Sequence, residues 1–198
     1  LIKEGYSTLK LLNPIWDDRR HELKVNLDYR FGANEGPKIA RTTKDQNGNE
    51  RVKNLYPLQN FGVNIIAVAQ SGRPYTRRLS NTQNTIVGSY NGARLPWGFY
   101  FDVVVDKHWP IKVNKKTTNL VLAVTVTNVF NIKNVTSVFA VTGNPEDNGY
   151  LTDPETQTLI DSYLDPLSYR DMYSIVLSNN NYNYSRPRLI KVGLTYQF

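Results

Sequence analysis

Five stretches of the chain alternate apolar and polar residues with a period of two, at 21–31, 58–70, 99–109, 118–130 and 188–198. In the first, Leu23, Val25, Leu27, Tyr29 and Phe31 share one face. Successive side chains of a β-strand point to opposite faces of its sheet. The alternation therefore predicts five antiparallel strands, each with one apolar and one polar face.

The polar faces of these stretches carry formal charges, so they must meet water. Residues 22–30 place Glu22, Lys24, Asp28 and Arg30 on one side, and 99–109 adds Asp102, Asp106 and His108. No run of about 18 apolar residues is present, which excludes a transmembrane helix. A barrel strand needs only about 9 to 11 residues, every second one facing lipid. We therefore predict an all-β protein: an antiparallel transmembrane β-barrel in the cell outer membrane. This chain would supply about six of its strands, counting a weak one that ends near Leu12.

The last strand, "RPRLIKVGLTYQF", ends on the carboxyl-terminal residue with a polar residue, a glycine and two aromatics: Lys191, Gly193, Tyr196 and Phe198. This pattern resembles the assembly signal of outer-membrane barrels, and it predicts the barrel assembly machinery as a partner. The two aromatic residues would also belong to a girdle at the membrane interface.

The connections predict a topology. With the C-terminus in the periplasm, the links at 71–96 and 131–187 lie outside the cell, and "PIKVNKKTT" is a polar periplasmic turn of about eight residues. The segment 32–57 would be periplasmic, with a flexible stretch "TTKDQNGNERVKN". Within the long outer link, Asp153 before Pro154 and Asp165 before Pro166 predict two short helices.

Charge and cysteine content narrow the function. The net charge is +7, but the basic residues are dispersed, so we do not expect nucleic-acid binding. The chain has no Cys and hence no disulfide or thiolate metal site. It begins "LIKEGY", without Met, and we expect it to be a fragment.

Several blocks in order carry a resemblance: "NPIWDDRRHELKVNLDYRFG", "QNFGVNIIAVAQSGRPYTR", "GSYNGARLPWGFYFDVVVDK", "VTNVFNIKNV", "TGNPEDNGYL" and the last strand. Together they resemble the C-terminal barrel region of Oar-like TonB-dependent receptors of the Bacteroidetes group, over most of 13–198. The resemblance implies a parent with a 22-stranded barrel, a plug domain and a TonB-binding segment, with plug and TonB segment outside this chain. It implies binding or import of a bulky substrate, with TonB, the plug, membrane lipid and a surface lipoprotein or other outer-membrane protein as partners.

Two candidate sites follow from the residues. The spacing in "NPEDNGYLTDPE" resembles a calcium loop with ligands at Asn144, Glu146, Asn148, Tyr150, Thr152 and Glu155. A turn-rich loop without metal is the alternative. The polar positions Glu22, Lys24, Asp28, Arg30, Asp102 and Asp106 would face the barrel lumen and contact plug or solute.

No nucleophile elbow, phosphate loop or zinc motif is present in the sequence, and we expect no enzymatic activity and no cofactor other than calcium. His108 beside Asp102 and Asp106 could indicate an acid/base or metal site. Polar residues that face a water-filled lumen are expected in any barrel, and we favour that interpretation. Two other classes stay open: a small self-sufficient outer-membrane barrel or surface adhesin, and a soluble β-sandwich lectin.

Overall fold

The computed structural model describes residues 12–44, 50–80, 85–113, 116–178 and 181–198. The predicted early strand near Leu12 falls mostly outside the described residues. These residues form nine strands and two α-helices, and most of the strands lie in antiparallel sheets. The strands are β1 (Glu22–Arg30), β2 (Ile39–Lys44), β3 (Glu50–Leu55), β4 (Phe61–Gln70), β5 (Pro74–Tyr75), β6 (Ala93–Arg94), β7 (Gly98–Val113), β8 (Lys116–Thr127) and β9 (Leu189–Gln197).

The five predicted strands form one sheet in the order β1-β4-β7-β8-β9. The all-β, antiparallel prediction is confirmed, and five of the about six predicted strands are formed within the described residues. Two small two-stranded sheets, β2-β3 and β5-β6, were not predicted. Within the described residues the main sheet is open, and β1 and β9 are its edges.

The register of β7, β8 and β9 keeps apolar residues opposite apolar residues. Val105 lies opposite Val124, which lies opposite Val192, and Trp109 lies opposite Leu120, which lies opposite Tyr196. A shift by one residue would exchange the two faces of a strand. The pairing therefore preserves the apolar face that the period of two predicts.

The predicted eight-residue turn between the third and fourth strands is wrong. β7 continues to Val113 and β8 begins at Lys116, so only 114–115 separate them, and these two lie outside the described residues. The interruption that we expected came from Pro110, which lies opposite Asn119. The backbone N–H of His108 donates to Asn60 O at 2.9 Å, just before β4 begins. The nitrogen of Pro110, two residues later, points to the same edge of β7. β4 does not extend that far, so the missing N–H of the proline costs no hydrogen bond between strands.

The predicted flexible stretch after β1 is also wrong where it is described. β2 and β3 form an antiparallel pair with Ile39 opposite Leu55 and Lys44 opposite Glu50. Residues 45–49 between them lie outside the described residues. The pair is short and mostly polar on both faces, with one apolar pair at Ile39 and Leu55, so it lacks the regular apolar alternation that reveals the other strands.

Both predicted helices are confirmed, as α1 (Pro154–Asp161) and α2 (Pro166–Ser178). The carboxylate of Asp153 accepts from the backbone N–H of Thr156 at 3.1 Å, and that of Asp165 from the N–H of Ser168 at 3.1 Å. A short 3-10 helix, Tyr150–Thr152, precedes α1. None of the described helices is long and apolar enough to cross a membrane.

The chain divides into two compact units. The first comprises 1–22, 70–98 and 133–185, and the second comprises 23–69, 99–132 and 186–198. In the first unit, Arg94 holds Asp18 through its side chain and donates to Asp18 O at 2.8 Å. The only fully buried large apolar side chain among the described residues, Ile160, lies in α1 of that unit.

In the second unit, the segment "NVFN" joins the end of β8 to the start of β9. Asn128, at a positive φ of 53°, donates from its side chain to the carbonyls of Ile132 and Arg186 at 3.0 and 3.1 Å. Asn131 accepts from the N–H of Arg188 at 2.9 Å. Asn tolerates the left-handed conformation better than most residues, so its side chain can satisfy backbone groups that no strand pairs.

Candidate functional site

A charged cluster lies on the polar face of the main sheet, where β1 and β7 flank β4. Arg30 Nη1 donates to Asp106 Oδ2 at 3.0 Å, and its Nε lies 3.0 Å from Asp28 Oδ1. His108 Nε2 lies 3.0 Å from the same Asp106 oxygen. The Asp106 side chain is 12% exposed, against 54% for Arg30, so the cluster has a nearly buried anion at its centre and an accessible cation above it.

Gly62 of β4 makes this arrangement possible. A Cβ atom at that position would lie 2.8 Å from Asp106 Oδ1 and 2.9 Å from Arg30 Nη1. Both distances are shorter than van der Waals contact. The absent side chain therefore lets the guanidinium cross the intervening strand and reach the carboxylate.

The predicted lumen-facing residues do not all belong to this cluster. The structure brings together Asp28, Arg30 and Asp106 and adds His108, while Asn64 Nδ2 extends the network by donating to Asn26 Oδ1 at 2.8 Å. Asp102 lies outside this cluster. It accepts from the backbone N–H of Asn128 at 2.9 Å and so holds the start of the loop that follows β8. Glu22 and Lys24 lie at the opposite end of β1.

A cavity of about 390 Å³ opens beside the cluster. Its lining includes Arg30, Asn60, Asp106, His108 and Asn119. With both aspartates ionised and His108 neutral, Asp28, Arg30 and Asp106 carry one net negative charge. This surface can bind polar or cationic groups through charge-assisted hydrogen bonds. Nothing in the cluster resembles a nucleophile held by a base, although its geometry leaves the expectation of no enzymatic activity untested.

The opposite face of the sheet is apolar; it is exposed on the edge strands and half-buried on β7 and β8. On the edge strand β9, Ile190, Val192 and Leu194 are 60 to 69% exposed, and on β1 so are Leu23, Leu27 and Tyr29, at 60 to 65%. Lys107 is the exception on this face. Its Nζ donates to the carbonyl of Pro57 at 2.9 Å and to that of Gln59, so the ammonium group lies beside the residues that precede β4.

The predicted calcium loop is held by its own hydrogen bonds. Asn144 Oδ1 accepts from the N–H of Glu146 at 2.8 Å, and Asn148 Oδ1 accepts from the N–H of Tyr150 at 3.0 Å. Glu146 Oε1 accepts from the hydroxyl of Tyr184 at 2.7 Å. Thr152 Oγ1 donates to the Gly149 carbonyl at 3.1 Å.

Within the described residues no group of three or more His, Asp or Glu side chains is placed to hold a metal ion. Glu155, the predicted closing ligand, lies in the first turn of α1. To bind calcium, the side-chain oxygens of Asn144, Glu146 and Asn148 would have to give up the hydrogen bonds that they accept. Calcium at this loop stays a prediction.

The same unit holds a cluster of four tyrosines that the sequence did not single out. The rings of Tyr150 and Tyr173 stack with centroids 4.8 Å apart, and Tyr163 meets Tyr169 edge to face at 4.9 Å. A hydrogen bond with Tyr150 raises the pKa of Tyr169 to about 12, so its phenol stays neutral at physiological pH. Helical spacing of Tyr169 and Tyr173 was the available signal, because residues four apart share one face of a helix.

Comparisons of the chain with protein-family models, with curated proteins and with solved structures found no match.

Proposed function

We propose that this chain is part of the wall of an outer-membrane β-barrel, with the apolar face of the main sheet against lipid and the charged cluster toward a water-filled lumen. One observation carries the proposal: burial is inverted relative to a soluble domain. In the second unit the described residues that are buried include Asp106, Thr118 and Asn128, while the large aliphatic side chains are exposed on the edge strands β1 and β9 and only half-buried on β7 and β8. A soluble sheet of this size would cover its apolar face with a second layer.

The same inversion weighs against the soluble β-sandwich. A sandwich would bury Val105, Val124 and Val192 between two sheets, whereas the two further described sheets have only two strands each. The small self-sufficient barrel is disfavoured by strand count, because membrane barrels close with eight or more strands and β1 does not pair with β9 in the described residues.

The more specific proposal rests on the sequence resemblance: the parent protein is a TonB-dependent receptor that binds or imports a bulky substrate. The charged cluster supports it in one respect. A wall that encloses a plug or a passing solute needs fixed polar groups on its inner face, and the triad of Arg30, Asp106 and His108 supplies them. We propose that Arg30, as the exposed member, contacts plug or solute.

The test uses the full-length parent expressed in its own cell type. Membrane fractions are separated by density, and the outer-membrane fraction is run on gels with and without heating. We expect a heat-modifiable protein in the outer membrane that crosslinks to TonB in intact cells. A heat-modifiable barrel without a TonB crosslink would contradict the receptor and favour the small barrel or adhesin, and a protein absent from the membrane would contradict both.

A further inference from the structure

The hairpin of β2 and β3 has a basic face that the function proposed above does not use. We define the basic face as the side carrying two cross-strand pairs: Ile39 with Leu55, and Arg41 with Lys53. Segment 37–57 contains five basic residues and two acidic ones. The basic face thus combines an apolar pair at the base of the hairpin with positive charge beyond it.

The pairing of Arg41 with Lys53 is unfavourable in isolation. Like charges directly opposite each other on neighbouring strands repel and destabilise the sheet. Both side chains are exposed, and neither forms a salt bridge with any described residue. An anion between Arg41 and Lys53 would convert the repulsion into two charge-assisted hydrogen bonds.

The apolar end of the basic face leads into a second cavity. This cavity has a volume of about 320 Å³, and its lining includes Leu55, Tyr56, Pro57, Lys107 and Trp109. Leu55 belongs to the basic face and lies two residues from Lys53, which is about 7 Å along a strand. Trp109 is 40% exposed and in register with Tyr196 through Leu120. Exposed aromatic residues in one row are typical of the membrane interface.

We propose that the basic face binds an anionic phospholipid of the adjacent leaflet, with its phosphate between Arg41 and Lys53 and its glycerol and acyl portion against Leu55 and Trp109. This proposal rests on the membrane location proposed above. Charge alone would also suit an acidic protein segment. The basic pair is followed by an apolar pair, and Leu55 of that pair lines one cavity with Trp109. This succession favours an amphiphile, because a phospholipid carries both a phosphate and a hydrocarbon chain.

The experiment uses the full-length protein in a neutral detergent, with phosphatidylglycerol as the probe and phosphatidylcholine as the reference lipid. Retained lipid is counted by native mass spectrometry. Lys53→Gln and Lys44→Gln each remove one positive charge, from the basic face and from the opposite face respectively. One basic residue near an anionic surface contributes about fivefold in affinity. We expect Lys53→Gln to weaken phosphatidylglycerol binding by about that factor and Lys44→Gln by less than about twofold.

A second variant separates binding from fold. Lys53→Glu places an acid opposite Arg41, so without anionic lipid the hairpin should resist protease better than wild type, while phosphatidylglycerol binding is lost. Loss of binding together with faster cleavage would overturn the proposal, since it would mean that Lys53 serves the fold.

The remaining outcomes assign the site elsewhere. Equal retention by Lys53→Gln and Lys44→Gln would overturn the site. Competition by soluble glycerol phosphate as strong as by phosphatidylglycerol would identify a free-phosphate site, and capture of a polyglutamate peptide without lipid would identify an acidic protein; either overturns the lipid. Heat-modifiability of every variant is recorded in parallel. A folded outer-membrane barrel that does not select phosphatidylglycerol contradicts only this inference, whereas wild type absent from the membrane contradicts the proposed function.

Discussion

Val124 provides a quantitative test of which face meets lipid. It lies four residues along β8 from Leu120, which is in register with Trp109 and Tyr196. Four residues span about 14 Å of strand, or about 10 Å of depth for a strand tilted by about 40°. The apolar band of such a barrel is about 25 Å tall, so an aromatic row at one interface places Val124 near the midplane.

An arginine at the midplane of the lipid face costs about 2 to 4 kcal/mol of folding free energy. Val124→Arg should therefore lower the folding equilibrium constant of the parent barrel by about 30-fold to 700-fold, at tenfold per 1.4 kcal/mol. Ala123→Arg is the matched control. Ala123 lies opposite Asp106 and Gly193 on the polar face, where a guanidinium meets a carboxylate and has space beside the glycine. We expect its cost to stay below about 1 kcal/mol.

The assay is reversible urea unfolding of the refolded barrel in lipid vesicles, followed by tryptophan fluorescence and by heat-modifiability on gels. Equal costs for Val124→Arg and Ala123→Arg, or a larger cost for Ala123→Arg, would refute the assignment of the faces.

Three further predictions concern other parts of the chain. Gly62→Ala should separate Arg30 from Asp106 because the new Cβ would lie within 3 Å of both side chains, and mass-spectrometric carboxyl footprinting should show Asp106 more reactive than in wild type; unchanged reactivity would contradict the role of the glycine. Phe198→Asp should leave the parent unassembled, seen as loss of the heat-modifiable form, and normal assembly would contradict the terminal signal. Hydrogen bonds from Ser168 hold the pKa of Asp165 below its usual 3.8, so its stabilisation of α2 is present above that pH and is lost as the pH falls through the folded-state value; a carbon-13 NMR titration giving a pKa at or above 3.8 would contradict the cap.

Local patterns in the sequence predicted the features that depend on one segment at a time. The five long strands follow from a period of two that each strand carries in its own residues. The helices follow from Asp153 and Asp165 before their prolines, because an N-cap needs only the next three residues.

Features that depend on neighbours could not be predicted in the same way. β2 and β3 have no apolar alternation. Pro110 indicates a break in β7, but the strand continues because β4 does not extend alongside Pro110, so no hydrogen bond between strands is lost there. The contact between Arg30 and Asp106 requires the order β1-β4-β7 and the gap at Gly62, and neither is written in any single strand.

The central claim, that the apolar face of the main sheet lies against lipid, is tested most directly by a spin-label scan along β8. Cysteines are introduced singly from Leu120 to Val126 in the parent barrel reconstituted in lipid; this chain contributes no cysteine of its own. Collision rates of each nitroxide with oxygen, which concentrates in hydrocarbon, and with a water-soluble nickel chelate are then compared. We predict a period of two, with oxygen contact highest at Leu120, Leu122, Val124 and Val126 and nickel contact highest at the positions between them. Equal exposure of both sets to the nickel chelate, or the opposite phase, would contradict it.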